Sequence, residues 1–222
     1  MMPLKPNSIM INLQDLVNNH IGSLSPEQEG KVKSCYRTFM ANVNVWDELS
    51  TYEKLPATRQ IYDVIHSIKL ITGLMTDEAA ILKDLGKKPT SDHLLCPQAW
   101  VGDKMFVYKE FQEYEKFVQG FFLGACVVEV TSAENDGNKL PPLFTEEFQY
   151  THPLQRYNES EIRLTTQRRK GTKNRVYKSL DKLVVFPQFY NDAVEGRDSL
   201  RFETLDSSSD TEYNVLTVGG VE

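Results

Sequence analysis

Residues 121–131 read FFLGACVVEVT, and the pattern of the sequence changes at this stretch. Upstream of it, apolar residues recur at the three- and four-residue spacing of amphipathic helices. Within it, β-branched and aromatic residues follow one another, which is typical of a buried strand. Downstream, short alternating segments are separated by turn residues. The change predicts an α+β fold, in which a helical N-terminal half packs with an antiparallel β-rich C-terminal half.

The upstream half contains four predicted helices. Ser25-Pro26-Glu27-Gln28 has the residues of a capping box and predicts a helix that runs toward Asn42. The other three helices are predicted to follow Pro56, to run from Thr76 to Gly86, and to run from Met105 to Gln119. The prediction of the helix after Pro56 is based on one apolar face, formed by Ile61, Val64, Ile65, Ile68 and Ile71. The prediction of the last helix is based on an aromatic stripe, formed by Tyr108, Phe111, Tyr114, Phe117 and Val118.

The downstream half contains the predicted strands. Besides residues 121–131, strand patterns occur at Phe144–Tyr150, Glu161–Thr166, Arg175–Phe186, Ser199–Leu205 and Glu212–Val218. The organisation is therefore a mainly helical region over residues 1–120 and a mainly β region over 121–222. No flexible linker separates them, so we expect one continuous folded unit that unfolds in a single transition.

Composition and cysteine usage bound the class of protein. A chain of 222 residues is long enough to bury a core without a disulfide or a metal. Cys35, Cys96 and Cys126 are odd in number and far apart, which argues against a disulfide framework and for a reducing compartment. The first residues lack a signal-peptide pattern, and the longest apolar runs are too short to span a bilayer. We therefore expect a cytoplasmic protein, or a particle assembled in the cytoplasm, with no membrane partner.

Charge is distributed unevenly along the chain. Between Arg163 and Lys182 there are eight basic residues and one acidic residue, although the net charge of the whole chain is −6. Subtracting these from the chain totals of 25 and 31 leaves 17 basic and 30 acidic residues elsewhere. Strand patterns flank RRKGTKN on both sides, so the simplest interpretation is a hairpin that carries its charges at an exposed tip. The predicted contact residues are Arg163, Arg168, Arg169, Lys170, Lys173, Arg175 and Lys178.

This basic segment has three interpretations. It could dock on an acidic protein surface, including a neighbouring copy of the chain, where complementary charge sets orientation and association rate. It could contact nucleic-acid phosphates, with Tyr150, Tyr157 and Tyr177 nearby to stack on bases. It could also be a solvated loop with no partner. The acidity of the whole chain argues against strong DNA binding.

Motifs for catalysis or cofactor binding are absent from the sequence. His93-x-x-Cys96 has a ligand-like spacing but supplies only two ligands, so no metal site is expected. His66 falls near the apolar face of its predicted helix and is expected to be a packed or hydrogen-bonded structural histidine. Neither a G-x-S-x-G elbow nor a glycine-rich phosphate loop occurs. We expect no cofactor.

The sequence thus favours a non-enzymatic structural or assembly protein, a subunit of a larger complex such as a virus or phage particle. Its partners would be other protein subunits or copies of itself, held in part by the basic hairpin. The first alternative is a nucleic-acid-associated accessory protein that binds phosphates through residues 163–182. The second is an enzyme whose site forms only in three dimensions.

Overall fold

The structure is a computed structural model, and it describes part of the chain. The described residues are 11–135, 154, 157, 160, 162–166, 184–190, 192 and 193. The predicted strands at 144–150, 199–205 and 212–218, and the hairpin tip at 167–174, lie outside them.

Helices dominate the first part of the described chain. The α-helices are α1 Leu13–Ile21, α2 Pro26–Asn42, α3 Thr51–Ser67, α4 Asp77–Asp84, α5 Pro97–Ala99, α6 Tyr114–Gly124 and α7 Ser132–Asn135. The 3-10 turns are Val43–Glu48 and Lys109–Gln112, and a π turn covers Trp100–Met105. The strands are β1 Ile11–Asn12, β2 Leu70–Thr76, β3 Thr90–His93, β4 Cys126–Val130, β5 Leu164–Thr166 and β6 Val184–Val185.

Two of the predicted helices are confirmed together with their ends. Helix α2 begins with the predicted capping box, in which Ser25 and Gln28 bond each other's backbone N–H groups. Helix α4 follows Thr76, whose hydroxyl accepts from the Ala79 amide. Gly86 lies just after this helix with φ 72°, a left-handed conformation that suits glycine at a helix end.

The predicted helix after Pro56 was placed wrongly at both ends. Helix α3 begins five residues before Pro56, because Ser50 and Glu53 form a second capping box that stabilises its first turn. It ends at Ser67, and Ile68 is already extended. Ile71 lies in strand β2 and is 53% exposed, so it belongs to no helical face. Its three-residue spacing from Ile68 was accidental.

The predicted helix from Met105 to Gln119 was also wrong. Tyr108 and Glu113 have extended backbone angles, and they divide this segment into a 3-10 turn and the start of helix α6. Phe111 and Phe117 are nevertheless fully buried. The apolar spacing correctly predicted that these two rings are buried, but it could not distinguish one long helix from a 3-10 turn followed by a separate helix.

The main sheet has four strands in the order β3-β4-β2-β5. The outer pairs are antiparallel, as predicted, but the central pair of β2 and β4 is parallel, so the sheet is mixed. Strands β2 and β3 both lie within residues 70–93, where no strand was predicted, and β2 is the parallel partner of β4. Strand β4 is the predicted strand, although residues 121–124 belong to helix α6. The α+β fold is confirmed.

The sheet and the helices share one core. Helices α1, α2, α3 and α6 share one hydrophobic cluster with the sheet, and its members include Phe39, Ile61, Phe117, Leu74 and Val128. Helix α4 packs on strands β2, β4 and β5, and Met75, Ala79 and Ala80 form a small second cluster there. All five residues of β4 are buried. Cys35 and Cys126 lie in the core, and all three cysteines are free thiols.

Candidate functional site

Helix α3 presents two faces of different character. Ala57, Ile61 and Ile65 turn into the core and leave the opposite side of the helix in solvent. Along one flank of that exposed side, residues recur at alternating three- and four-residue spacing, which places them in one line along the helix; all of them are exposed except Tyr62, which is half-buried. We name this line the α3 ridge. It consists of Tyr52, Leu55, Arg59, Tyr62 and His66.

The N-terminal part of the α3 ridge exposes large apolar groups. The exposed fraction is 88% for Tyr52 and 47% for Leu55. Single exposed apolar residues are common on protein surfaces, but an aligned aromatic and aliphatic pair on one helix is less so. Tyrosine and arginine, both present on this ridge, are among the residue types enriched at the positions that dominate the binding energy of protein interfaces.

A small cleft opens beside the middle of the ridge. Its volume is about 230 Å³, and its walls are formed by Leu55, Thr58, Arg59, Tyr62 and Gln98. Sites for drug-sized ligands usually measure about 300–1,000 Å³. The cleft is therefore better suited to a single inserted side chain than to a metabolite.

Arg59 and Asp63 place both signs of charge on this side of α3. Their closest side-chain atoms, Arg59 Nε and Asp63 Oδ2, are 4.0 Å apart. Both side chains remain largely in solvent, with 72% and 62% of their surface exposed. A contact this long and this exposed contributes little to stability, so both groups remain available to a partner.

Two stacked histidines lie at the C-terminal end of the ridge. The ring of His66 lies 5.8 Å from that of Tyr62 and 5.0 Å from that of His93, with an angle of 27° between the two imidazole planes. His66 is exposed, and its ring packs on these two rings outside the core, because α3 turns position 66 away from the core. His93 is buried, and its Nε2 has no hydrogen-bond partner among the described residues. Burial, with the nearby charges of His66 and Lys69, lowers the pKa of His93 to about 4.

The buried carboxylates are engaged in structural contacts. Glu134 Oε2 accepts from the Thr76 hydroxyl at 2.7 Å and from the Thr131 amide at 2.8 Å. Glu129 is bonded by Lys83 of helix α4 at 2.8 and 3.0 Å. Because these oxygens are held by internal donors, the two carboxylates stabilise the joints between strands and helices rather than offering a reactive base.

A further buried carboxylate, Asp92, accepts a hydrogen bond from the Tyr157 hydroxyl. Tyr157 is fully buried, so the suggestion that it stacks on nucleic-acid bases was wrong. Its ring fills the core, and its hydroxyl serves the Asp92 carboxylate.

Only one of the predicted basic contact residues is described. Arg163 is exposed, and its backbone carbonyl accepts from the Asp77 amide at 3.1 Å, where β5 begins beside the end of β2. Arg168, Arg169, Lys170, Lys173, Arg175 and Lys178 lie outside the described residues. The α3 ridge was missed because the helix was expected to begin after Pro56. With Ser50-x-x-Glu53 recognised as a capping box, its spacing was visible in the sequence.

Comparisons with known proteins identify no relative. The chain matches no protein-family model, no curated protein and no solved structure. Within the part of the chain that the structure describes, no three His, Cys, Asp or Glu side chains are grouped so that they could hold a metal ion. Among the same residues, no helix has the length and apolar character needed to cross a membrane.

Proposed function

We propose that this protein is a non-enzymatic assembly subunit, and that it binds a protein partner through the α3 ridge. The observation that carries the proposal is the pair of aligned, exposed apolar side chains, Tyr52 and Leu55, beside a cleft of single-side-chain size. Removing such a surface from water is favourable by about 25 cal/mol for each Å² of apolar area. A folded helix pays little conformational entropy when it docks, which also favours its use as an interface.

The basic segment over residues 163–182 is the second proposed contact. Its concentration of positive charge against an acidic remainder supports docking on an acidic protein surface. The ridge would then supply apolar contact area, and the basic segment would supply orientation. Nucleic-acid binding through the same residues stays the alternative, and the viral-particle context stays a prediction from the sequence.

The test is the size of the complex that the chain forms in cells. The full chain, carrying an affinity tag, is expressed in its source cells, and extracts are separated by size exclusion. We expect the wild-type chain to elute above the mass of a monomer. The double variant Tyr52→Ser, Leu55→Ser should shift toward the monomer position, with a melting temperature within about 2 °C of wild type because both side chains are exposed.

A matched control is available on helix α4 and the residue that follows it. Ile81 and Leu85 are also exposed apolar residues, at 57% and 66%, but they lie away from the α3 ridge. The double variant Ile81→Ser, Leu85→Ser should leave the size of the complex unchanged. The proposal fails if the wild-type chain elutes as a monomer, or if both double variants reduce the complex equally.

A further inference from the structure

The charges near the centre of the α3 ridge restrict the kind of partner that fits it. Arg59 and Asp63 lie one helical turn apart, and most of each side chain is in solvent. The surface therefore offers one cation and one anion side by side. A partner with complementary charge places an anion opposite Arg59 and a cation opposite Asp63.

A second copy of the same helix presents that order when it lies antiparallel. Two-fold symmetry makes every unlike contact occur twice, so residue i meets residue j and j meets i. An axis opposite position 61 places each Arg59 beside the other copy's Asp63. A parallel pair would instead align Arg59 with Arg59 and Asp63 with Asp63, and these like charges would repel.

The rest of the ridge agrees with the antiparallel arrangement. In that register, Tyr62 lies level with Gln60 of the second copy, one residue from Arg59, whose guanidinium can reach the phenol ring. Leu55 lies level with Ser67 of the second copy, one residue from His66. The ridge has the alternating three- and four-residue spacing with which paired helices interlock their side chains.

We infer that the α3 ridge pairs with the α3 ridge of a second copy of this chain, antiparallel, with two crossed Arg59–Asp63 contacts. This inference rests on the proposed assembly function and names its partner. The 14-residue step from Tyr52 to His66 spans about 21 Å. A contact of this length buries less than the roughly 800 Å² per partner of a standard interface, so the dimer is weak and depends on concentration.

Charge exchange tests the pairing on the purified full-length chain. Sedimentation equilibrium at low salt, over a series of concentrations, measures the dissociation constant of the dimer. Arg59→Asp alone and Asp63→Arg alone each replace two attractive contacts with two repulsive ones. We expect each single variant to raise the dissociation constant by about tenfold or more.

The double variant Arg59→Asp, Asp63→Arg restores both crossed contacts with their signs exchanged. We expect its dissociation constant to return to within about threefold of wild type, a coupling that independent sites do not show. Lys31 and Glu27 on helix α2 form an exposed pair of the same spacing at 2.7 Å. Lys31→Glu there should leave dimerisation unchanged, and melting curves of every variant will verify folding.

Three results would overturn the inference: a wild-type chain that is monomeric at every concentration, single variants that dimerise normally, or a double variant that is as weak as the single variants combined. Suppose that the purified chain is monomeric, but that in cell extracts the Tyr52→Ser, Leu55→Ser variant shifts from the position of the complex to that of the monomer. The partner of the ridge is then a different protein. In that case the proposed function stands and the second copy is excluded.

Discussion

At the scale of single residues, His93 is expected to make stability depend on pH. The folded protein holds the pKa of this imidazole near 4, below the ordinary value of 6.5, because the ring is buried beside His66 and Lys69. Between these two values the unfolded chain takes up a proton that the folded chain excludes. We therefore expect the free energy of unfolding to fall as the pH decreases from 6.5 to about 4, by roughly 2–3 kcal/mol from His93.

The variant His93→Phe isolates this contribution. Phenylalanine keeps an aromatic ring against His66 but cannot take up a proton. Urea unfolding of both proteins from pH 7 to pH 4 should show a wild-type stability that falls more steeply than that of the variant. Parallel pH profiles would show that His93 is not the titrating group.

Two glycines in helices should respond oppositely to the same substitution. A Cβ atom at Gly120 would lie 2.6 Å from Phe111 Cε1, and the Gly120 carbonyl already accepts from the Trp100 indole at 2.9 Å. Gly120→Ala should therefore lower stability by about 1–3 kcal/mol, as overpacked cores do. At Gly30 nothing lies within 4 Å of a Cβ atom. Gly30→Ala should raise stability by about 1 kcal/mol, because alanine is the better helix former. Thermal melting of both variants measures the contrast, and equal shifts would contradict it.

At the scale of elements, Glu134 joins the ends of the two parallel strands. Strand β2 ends at Thr76 and β4 ends just before Thr131, and both residues bond the same carboxylate oxygen. Glu134→Ala would leave the Thr131 amide and the Thr76 hydroxyl without this acceptor in a buried place. We expect a loss of about 2–4 kcal/mol in the free energy of unfolding, measured with urea. Glu134→Gln keeps one acceptor oxygen and should lose less.

Glu53 provides the comparison for Glu134. Its carboxylate accepts from the Ser50 amide, as the Glu134 carboxylate accepts from the Thr131 amide, but it does so at the exposed start of α3. Because water can replace its hydrogen bonds, Glu53→Ala should destabilise the protein much less than Glu134→Ala. If both variants lose a similar free energy of unfolding, burial does not determine how much these glutamate hydrogen bonds contribute to stability.

The elements also show what the sequence could predict. Helix α2 and the end of α4 were predictable because capping serines, prolines and glycines act on their immediate neighbours. Strand β2 was not, since LITGLMT contains Gly73 in a left-handed conformation, with φ 85°, where the pairing register with β4 shifts. That bulge depends on a partner strand more than 50 residues away, and no local pattern reports it. The spacing of the α3 ridge could be predicted, because it is a local property of the sequence. Its exposure could not, because it depends on how the whole helix packs.

At the scale of the whole molecule, the sheet ties the two predicted regions together. Strand β4, from the region after residue 120, lies between β3 and β2, from the region before it. Neither region can keep its share of the core without the other, so the prediction of a single unfolding transition gains a physical reason. Assembly would then act on one cooperative body, and a partner on the α3 ridge would stabilise all of it.

The uneven charge of the chain favours the proposal that the basic segment binds a partner and does not mainly stabilise its own fold. Positive charges at an exposed site contribute only about 0–1 kcal/mol each through pairing within the chain, so stability is a poor reason to concentrate eight of them between Arg163 and Lys182. A contact with an acidic partner explains the concentration better, because complementary charge sets the rate and orientation of association. The substitutions Arg168→Ser, Arg169→Ser, Lys170→Ser and Lys173→Ser, made together, should leave the melting temperature nearly unchanged. They should also weaken the complex in cell extracts and remove most of its sensitivity to salt, because salt screens the same attraction in the wild-type protein. A quadruple variant that melts several degrees lower, or that assembles normally at every salt concentration, would show that the basic segment serves its own fold or has no partner.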